Sequence, residues 1–287
     1  MIIFSSLRLA LAVLLAASLQ AAAQDAAALR ARHTELREVL TTNAFARPLV
    51  LESREDAGQL RGDIYARIAQ PFAVAGPALQ GVAHWCEILT LHLNVKRCRA
   101  TQTPAGNSLG LVIGRKFDQP VADAYSLDFN YTQLAKQPDY LQLMLSADQG
   151  PLGTNDYRIV LEVVALDAKH SFLHLSYAYG YGLVARVAMQ GYLATVGRDK
   201  VGFSRVGMRA DGEPIYIGGT RGVIERNTMR YYFAIEAYLG ALGLPQPLQL
   251  DKRLDDWYSS VERYPRQLHE LDRAEYLALK RSEALRP

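Results

Sequence analysis

Cysteine is scarce in this sequence, with Cys86 and Cys98 the two present. Two thiols supply half of a structural zinc tetrahedron, so no cysteine-based zinc site is expected. Charge of one sign is also lacking. Lys and Arg number 32 against 29 Asp and Glu, a formal +3 that gives no sign of a nucleic-acid binder. Beyond the first residues, no apolar run reaches the roughly 18–20 residues of a membrane-spanning helix. Internal repeats and low-complexity tracts are absent, which argues against solenoids and propellers.

Catalytic signatures are missing as well. Ser204, in Gly202-Phe203-Ser204-Arg205-Val206-Gly207, lacks the G-x-S-x-G spacing of a nucleophile elbow. His170 and His174 would share one face of a strand but sit roughly 13 Å apart at strand rise, too far to share a metal. His84 and Cys86, two positions apart in a helical stretch, do not face each other. Neither a metal nor a cofactor is expected. Gly180-Tyr181-Gly182-Leu183-Val184-Ala185 matches the G-x-G-x-x-A pattern of a dinucleotide site between strand and helix. Its strand belongs to an antiparallel hairpin with no βαβ series around it. The glycines are therefore read as a sharp exit from the sheet.

What is present begins at the N-terminus. Arg8 is followed by an uncharged apolar run over residues 9–19 and then by Ala21, Ala22 and Ala23. A basic start, a short apolar core and small residues are the layout of a secretory signal, with cleavage expected after Ala23. No cysteine follows the apolar core, so a lipidated N-terminus is not expected. The mature chain is expected to be a soluble globular protein of the periplasm or the medium, without a transmembrane span. Export permits a disulfide, and an even count at short separation predicts a Cys86–Cys98 bridge.

Hydrophobic periodicity predicts the elements. Residues 25–42 form an amphipathic helix with the stripe Leu29, Leu36, Val39 and Leu40, and residues 45–56 read as a linker. Residues 64–68 alternate as a strand, and Pro71 ends it. Residues 72–93 are helical, split in two by Gly76-Pro77 and Gly81. A run of strands follows. Its clearest alternation sets Tyr125, Leu127, Phe129 and Tyr131 against Ser126, Asp128, Asn130 and Thr132. Short turns near Pro138 and Asp167 make the neighbouring strands antiparallel. Residues 183–196 return to helix, a small hairpin turns at Asp211-Gly212, and a helix with few polar positions covers about 223–242. Gly243 and Pro245 stop it. The tail over 251–285 is charged and amphipathic, with Trp257, Val261, Leu268, Leu271 and Leu277 as its docking stripe.

Strands followed by a long helix predict an α+β fold, with a curved antiparallel sheet gripping the late apolar helix. This order resembles the helix-grip fold of the START and polyketide-cyclase-like superfamily over roughly residues 61–242. The segment from Ile64 through Trp85 to Val95 looks most like it. The helix at 183–196, the hairpin after it and both terminal helices depart from the pattern. The expected organisation is a signal peptide over 1–23, a helix and linker over 24–60, the helix-grip-like domain over 61–244, and a helical extension over 245–287. The resemblance implies a cavity between sheet and helix. Members of that superfamily bind lipids, sterols, polyketides and similar apolar ligands there, and some catalyse reactions.

The candidate site residues are mostly aromatic. Sixteen tyrosines stand against eight phenylalanines. Tyr177, Tyr179 and Tyr181 share a strand face, and Tyr231, Tyr232 and Tyr238 sit on the long helix. Tyrosine joins apolar area to a hydroxyl that needs a partner when buried, which suits a pocket as well as a core. Glu236 stands in an apolar stretch beside Phe233. If buried it needs a partner, for which Arg221, Arg226 and Arg230 are candidates nearby in sequence, Arg226 being too far for a local pair, and at a cavity wall it could meet a headgroup or act as an acid. The expected ligand-binding set is Trp85, Tyr177, Tyr179, Tyr181, Tyr232, Phe233 and Glu236. Lys96, Arg97 and Arg99 are read as a charged, solvated strand edge. Three functions compete: an apolar-ligand or lipid binder, a cyclase- or hydrolase-type enzyme using Glu236, and an envelope protein that docks a partner through its terminal helices.

Overall fold

The computed structural model describes residues 25–195 and 197–285. The expected signal peptide and its cleavage site lie outside the described residues.

Eight strands form one antiparallel sheet. They are β1 Leu49–Asp56, β2 Gln59–Ile68, β3 Val95–Thr103, β4 Gly106–Ile113, β5 Tyr125–Gln137, β6 Tyr140–Gln149, β7 Thr154–Ala165 and β8 Ser171–Tyr181. Their spatial order is β1-β2-β8-β7-β6-β5-β4-β3. β3 to β8 run as a meander, and the hairpin β1–β2 joins its far end, pairing Ile68 with Ser171 and Gln59 with Gly180. The α+β architecture with a sheet around a long helix is as the sequence predicts. The stretch read as a linker differs, because Leu49–Asp56 is an edge strand. Its second half is charged and exposed, a composition that resembles a linker and also protects a sheet edge.

Alternation explains which face each strand buries. In β5, Leu127, Phe129 and Tyr131 are buried while Ser126, Asp128 and Asn130 are exposed. β8 is different: seven consecutive residues from Ser171 to Tyr177 are buried, because both faces of the sheet are covered there. On the concave side Leu173, Leu175, Tyr177 and Tyr179 join the main core. On the convex side Phe172 packs with Leu29, Leu36, Leu40, Val50, Tyr140 and Val164. The convex cover comes from helix α1, over residues 25–35, and helix α2, Arg37–Thr41. Val39, expected in the apolar stripe of the first helix, is instead 46% exposed.

The two short helices predicted after β2 are α3 Phe72–Leu79 and α4 Val82–Leu89. They break at Gly81, whose φ of 105° is left-handed and favours glycine. Trp85 Nε1 donates to Leu79 O at 3.0 Å across the break. Cys86 on α4 is disulfide-bonded to Cys98 on β3, with Cα atoms 5.3 Å apart. Closing so short a loop restricts the unfolded chain, so the double variant Cys86→Ser/Cys98→Ser should lose about 3 kcal/mol of stability. Urea unfolding of both proteins reads this directly, and equal midpoints would show the bridge to be dispensable.

Five helices and a small hairpin complete the described residues. Helix α5, Leu183–Ala194, follows the sheet exit at Gly182, where the dinucleotide-like glycine pattern lies. β9 Arg205–Met208 and β10 Pro214–Tyr216 pair around Gly212. Helix α6, Gly219–Gly240, lies in the grip of the sheet. It approaches β2 so closely that a Cβ on Gly62 would stand 2.3 Å from Thr228 Oγ1. Helices α7 Gln246–Val261, α8 Pro265–Leu268 and α9 Arg273–Ala284 form the tail. Trp257, Val261 and Leu268 are buried as the stripe predicts, and Trp257 Nε1 donates to Arg230 O at 3.1 Å.

Lys96 corrects the reading of β3 as a solvated edge. Arg97 and Arg99 are exposed, but Lys96 is 1% exposed beneath α9, where its Nζ lies 2.9 Å from Glu283 Oε1. Lys280 reaches the same carboxylate at 2.6 Å, and Tyr276 Oη donates to Leu91 O. The tail is therefore docked on the body. Among the described residues no helix is long and apolar enough to cross a membrane.

Candidate functional site

Between the concave face of the sheet and α6 lies a cavity of about 740 Å³. Its size falls within the roughly 300–1,000 Å³ of small-molecule sites. The sheet supplies an apolar and aromatic wall that includes Leu127, Phe129, Tyr157, Tyr177 and Tyr179. The rings form a cluster: Tyr157 stacks on Tyr179 with centroids 5.2 Å apart, and Tyr177 meets Tyr231 of α6 edge-on at 5.1 Å. Helix α5 closes one side through Ala185, Met189 and Tyr192, an i, i+4, i+7 face. Its other face exposes Leu183, Val184 and Val187. The rim carries Phe117, Tyr125 and Leu152, exposed by 53, 49 and 51%.

Part of the lining is polar. Arg226, Asn227 and Arg230 of α6, Lys116 from the loop after β4, His92 and Glu270 all line it. Glu270 is held by Lys116, by Arg230 Nη2 at 2.7 Å and by Lys200 Nζ at 3.5 Å. Burial alone would raise the Glu270 carboxyl, but Arg230 and Lys116 outweigh it and hold it below the ordinary carboxylate range. Burial, with Arg230 adding to it, draws Lys116 down to about 8.

The cavity brings together part of the expected set. Tyr177, Tyr179 and Tyr181 line it. Tyr181 also bonds through its hydroxyl to Glu55, which accepts from Thr220 Oγ1 as well, joining β8, β1 and the start of α6. Trp85, Tyr232, Phe233 and Glu236 are not among the lining residues. Trp85 is buried between α3 and α4. Phe233 stacks on Tyr264 with centroids 6.0 Å apart. Glu236 is paired with Arg47 at 2.6 Å and accepts from Tyr232 Oη at 2.6 Å. The reason is helix phase. Val223, Asn227, Arg230 and Tyr231 make the cavity face of α6, while 232, 233 and 236 point elsewhere. Arg226 and Arg230, four residues apart, were visible in the sequence, but considered there as partners for Glu236.

A second titratable cluster sits on the convex face, under α1. His170 lies in the turn before β8, bonded to Asp167, so it shares no strand with His174. His174 stands between two carboxylates, with Nε2 at 2.8 Å from Asp63 and Nδ1 at 2.7 Å from Glu162. Its ring stacks on Tyr65 at 4.3 Å, and Arg32 of α1 lies over the other ring at 4.9 Å. Burial alone would lower His174, but Asp63 and Glu162 raise it above its ordinary 6.5. Burial would raise Asp63, yet His174 and Arg61 hold it down at about 2. The imidazolium therefore stabilises the fold below pH 6.5 and loses that contribution as pH rises through its raised value. Asp63 contributes above its ordinary 3.8, and that is lost as pH falls toward about 2. His174→Gln should therefore cost most near pH 5, and less on either side. A stability difference that stays flat across pH would contradict this.

No family model and no curated protein matches the sequence. Solved structures do. The Zhui aromatase/cyclase from Streptomyces is 10% identical, with 74% of this chain and 99% of that chain covered and a TM-score of 0.34. A START superfamily protein from Mycobacterium smegmatis is 12% identical, covering 48% and 95%, with a TM-score of 0.32. Norcoclaurine synthase from Thalictrum flavum is 14% identical, covering 52% and 92%, with a TM-score of 0.31. At such scores the likeness carries no argument, and the description of this fold rests on its own sheet and helix. The structural neighbours are START and polyketide-cyclase-like proteins, the superfamily whose element order this sequence resembles.

Proposed function

We propose that this chain is an exported protein that binds a lipid-like or other apolar small molecule in the cavity between the sheet and α6. The observation that carries the reading is the cavity itself, with its aromatic wall and half-exposed rim. Tyr177, Tyr179 and Tyr181 are the proposed contacts from the sheet, each offering a ring face and a hydroxyl. Binding is favoured over catalysis because Glu236, the acid offered for an enzyme, is engaged with Arg47 outside the cavity. The docked tail argues against a partner-docking role for α7 to α9. Export rests on the sequence of residues 1–23 and is tested by the N-terminal mass of the protein recovered from its host's envelope.

Native mass spectrometry of that protein, followed by organic extraction, should release an apolar molecule. Ala185 is buried on the cavity face of α5. An Ala185→Trp variant that fills this space should bind at least about tenfold less of it, by analogy with cavity filling in other apolar sites. A ligand-free wild-type mass, with no uptake from a lipid mixture, would count decisively against the reading.

A further inference from the structure

We propose that the cavity takes an apolar molecule ending in an oxyanion, with the anionic group seated beside Arg226, Arg230, Lys116 and His92. This rests on the reading that the cavity binds an apolar ligand, and it assigns that ligand a charged end.

Three independent observations support it. The first is the source of the lining: the sheet contributes mainly aromatic and aliphatic side chains, whereas the cations Lys116 of the loop after β4 and Arg230 of α6 meet at Glu270, with Arg226 one turn away. The second is charge. Lys116, Arg226 and Arg230 line the cavity and Lys200 stands behind Glu270, whereas the acids that line it are Glu270 and, exposed at the rim, Asp123. Glu270 is shared by three of those cations. Arg226, 2% exposed, reaches Val201 O at 3.2 Å, and among the described residues it makes no salt bridge. Tyr192 bonds to it, and Glu270 and Glu225 attract it from beyond salt-bridge distance, yet burial outweighs them, and an incoming anion offsets that cost.

The third observation is a pair of unused donors. Arg230 is 1% exposed and His92 3%, and Arg230 Nε and His92 Nε2 are both buried without a hydrogen-bond partner. Asn227 stands beside His92, yet no atom meets its Nε2 at bonding distance and angle. His92 Nδ1 accepts from Asn94 N at 3.2 Å, which places the proton of the neutral ring on Nε2. Burial, then Arg230, holds that ring neutral by drawing it well below its ordinary value. An oxyanion beside these side chains adds a counter-charge for Arg226 and, once Arg230 and His92 turn toward it, acceptors for both donors. Carboxylate and phosphate share this chemistry.

Calorimetric titration of the mature protein with dodecanoate, dodecyl phosphate, dodecanol and inorganic phosphate tests the proposal. One or both of the alkyl anions should bind about tenfold or more tightly than dodecanol, and the stronger of the two identifies the group. Arg226→Gln should bring the anion down toward the affinity of dodecanol, with the anion losing far more than dodecanol does, while Arg226→Lys keeps part of the preference. Lys116→Gln, on a loop, serves if the helix variant does not fold. Equal binding of anion and alcohol by the wild type would overturn the oxyanion and leave the apolar reading standing. Binding of inorganic phosphate with no gain from the alkyl chain would likewise overturn it. No binding of any alkyl probe would remove the apolar reading and this one together.

Discussion

Replacing Glu283 with alanine is expected to destabilise the protein by about 3–5 kcal/mol, the usual cost of removing one partner from a buried ion pair. Its carboxylate lies between two buried ammonium groups, Lys96 at 2.9 Å and Lys280 at 2.6 Å, with side chains exposed by 3% or less. The triad is already short of negative charge. Burial draws Lys280 down to about 8, although Glu283 opposes the shift. Backbone carbonyls share the load: Lys96 donates to Phe117 O, and Lys280 donates to His92 O and Val95 O. These dipoles cannot replace a full charge. Glu283→Gln keeps the shape and an acceptor, so it should fall between the wild type and Glu283→Ala. Urea unfolding measures all three. A loss under about 1 kcal/mol would mean that the lysines reach water once the carboxylate is gone.

Glu225→Ala is expected to cost about 3–5 kcal/mol, by a different route. Glu225 is fully buried on α6. It accepts from Ser53 Oγ and Ser204 Oγ at 2.6 Å, and from the amides of Phe203 and Ser204 at 2.6 and 2.9 Å. One carboxylate thus ties the edge strand β1 and the segment before β9 to the central helix. Alanine leaves two amides and two hydroxyls without their acceptor, and each buried unsatisfied group costs about 1–3 kcal/mol before relaxation. Hydrogen exchange separates this from general loosening. The amides of Phe203 and Ser204 should exchange much faster in the variant, while those in the middle of β7 follow global stability. Unchanged protection at Phe203 and Ser204 would refute the role given to Glu225.

The parts of the fold that sequence revealed are those where one face meets water. β5 shows its alternation because Asp128 and Asn130 are exposed between Leu127, Phe129 and Tyr131. The same alternation placed Tyr177 and Tyr179 on one face of β8, and both line the cavity. Periodicity could not show that α1 and α2 cover the convex side of β8, because apolar and polar residues are buried there alike. β1 was hidden for the opposite reason, since its exposed charged half reads as a linker. On α6 the length of the helix was legible and its phase was not. A helix buried nearly all round, with Glu225, Arg226 and Arg230 among its buried residues, gives no clue to which stripe faces a cavity. The polar part of the site had no local signal, because Lys116 and Glu270 reach it from loops far apart in sequence.

The strand order also sets when the sheet can be finished. β3 to β8 pair with sequence neighbours and can zip up as the chain emerges. The β1–β2 hairpin, made first, has no place in the sheet until Ser171–Tyr181 exists to receive it. Until then β2 presents an unpaired edge, the kind of surface on which chains join one another. Long-range closures of this type slow folding toward the millisecond-to-second range of β-rich domains. A newly made molecule therefore passes through an interval in which its earliest strands are open to the wrong partners, and that interval ends with the pairing of β2 and β8.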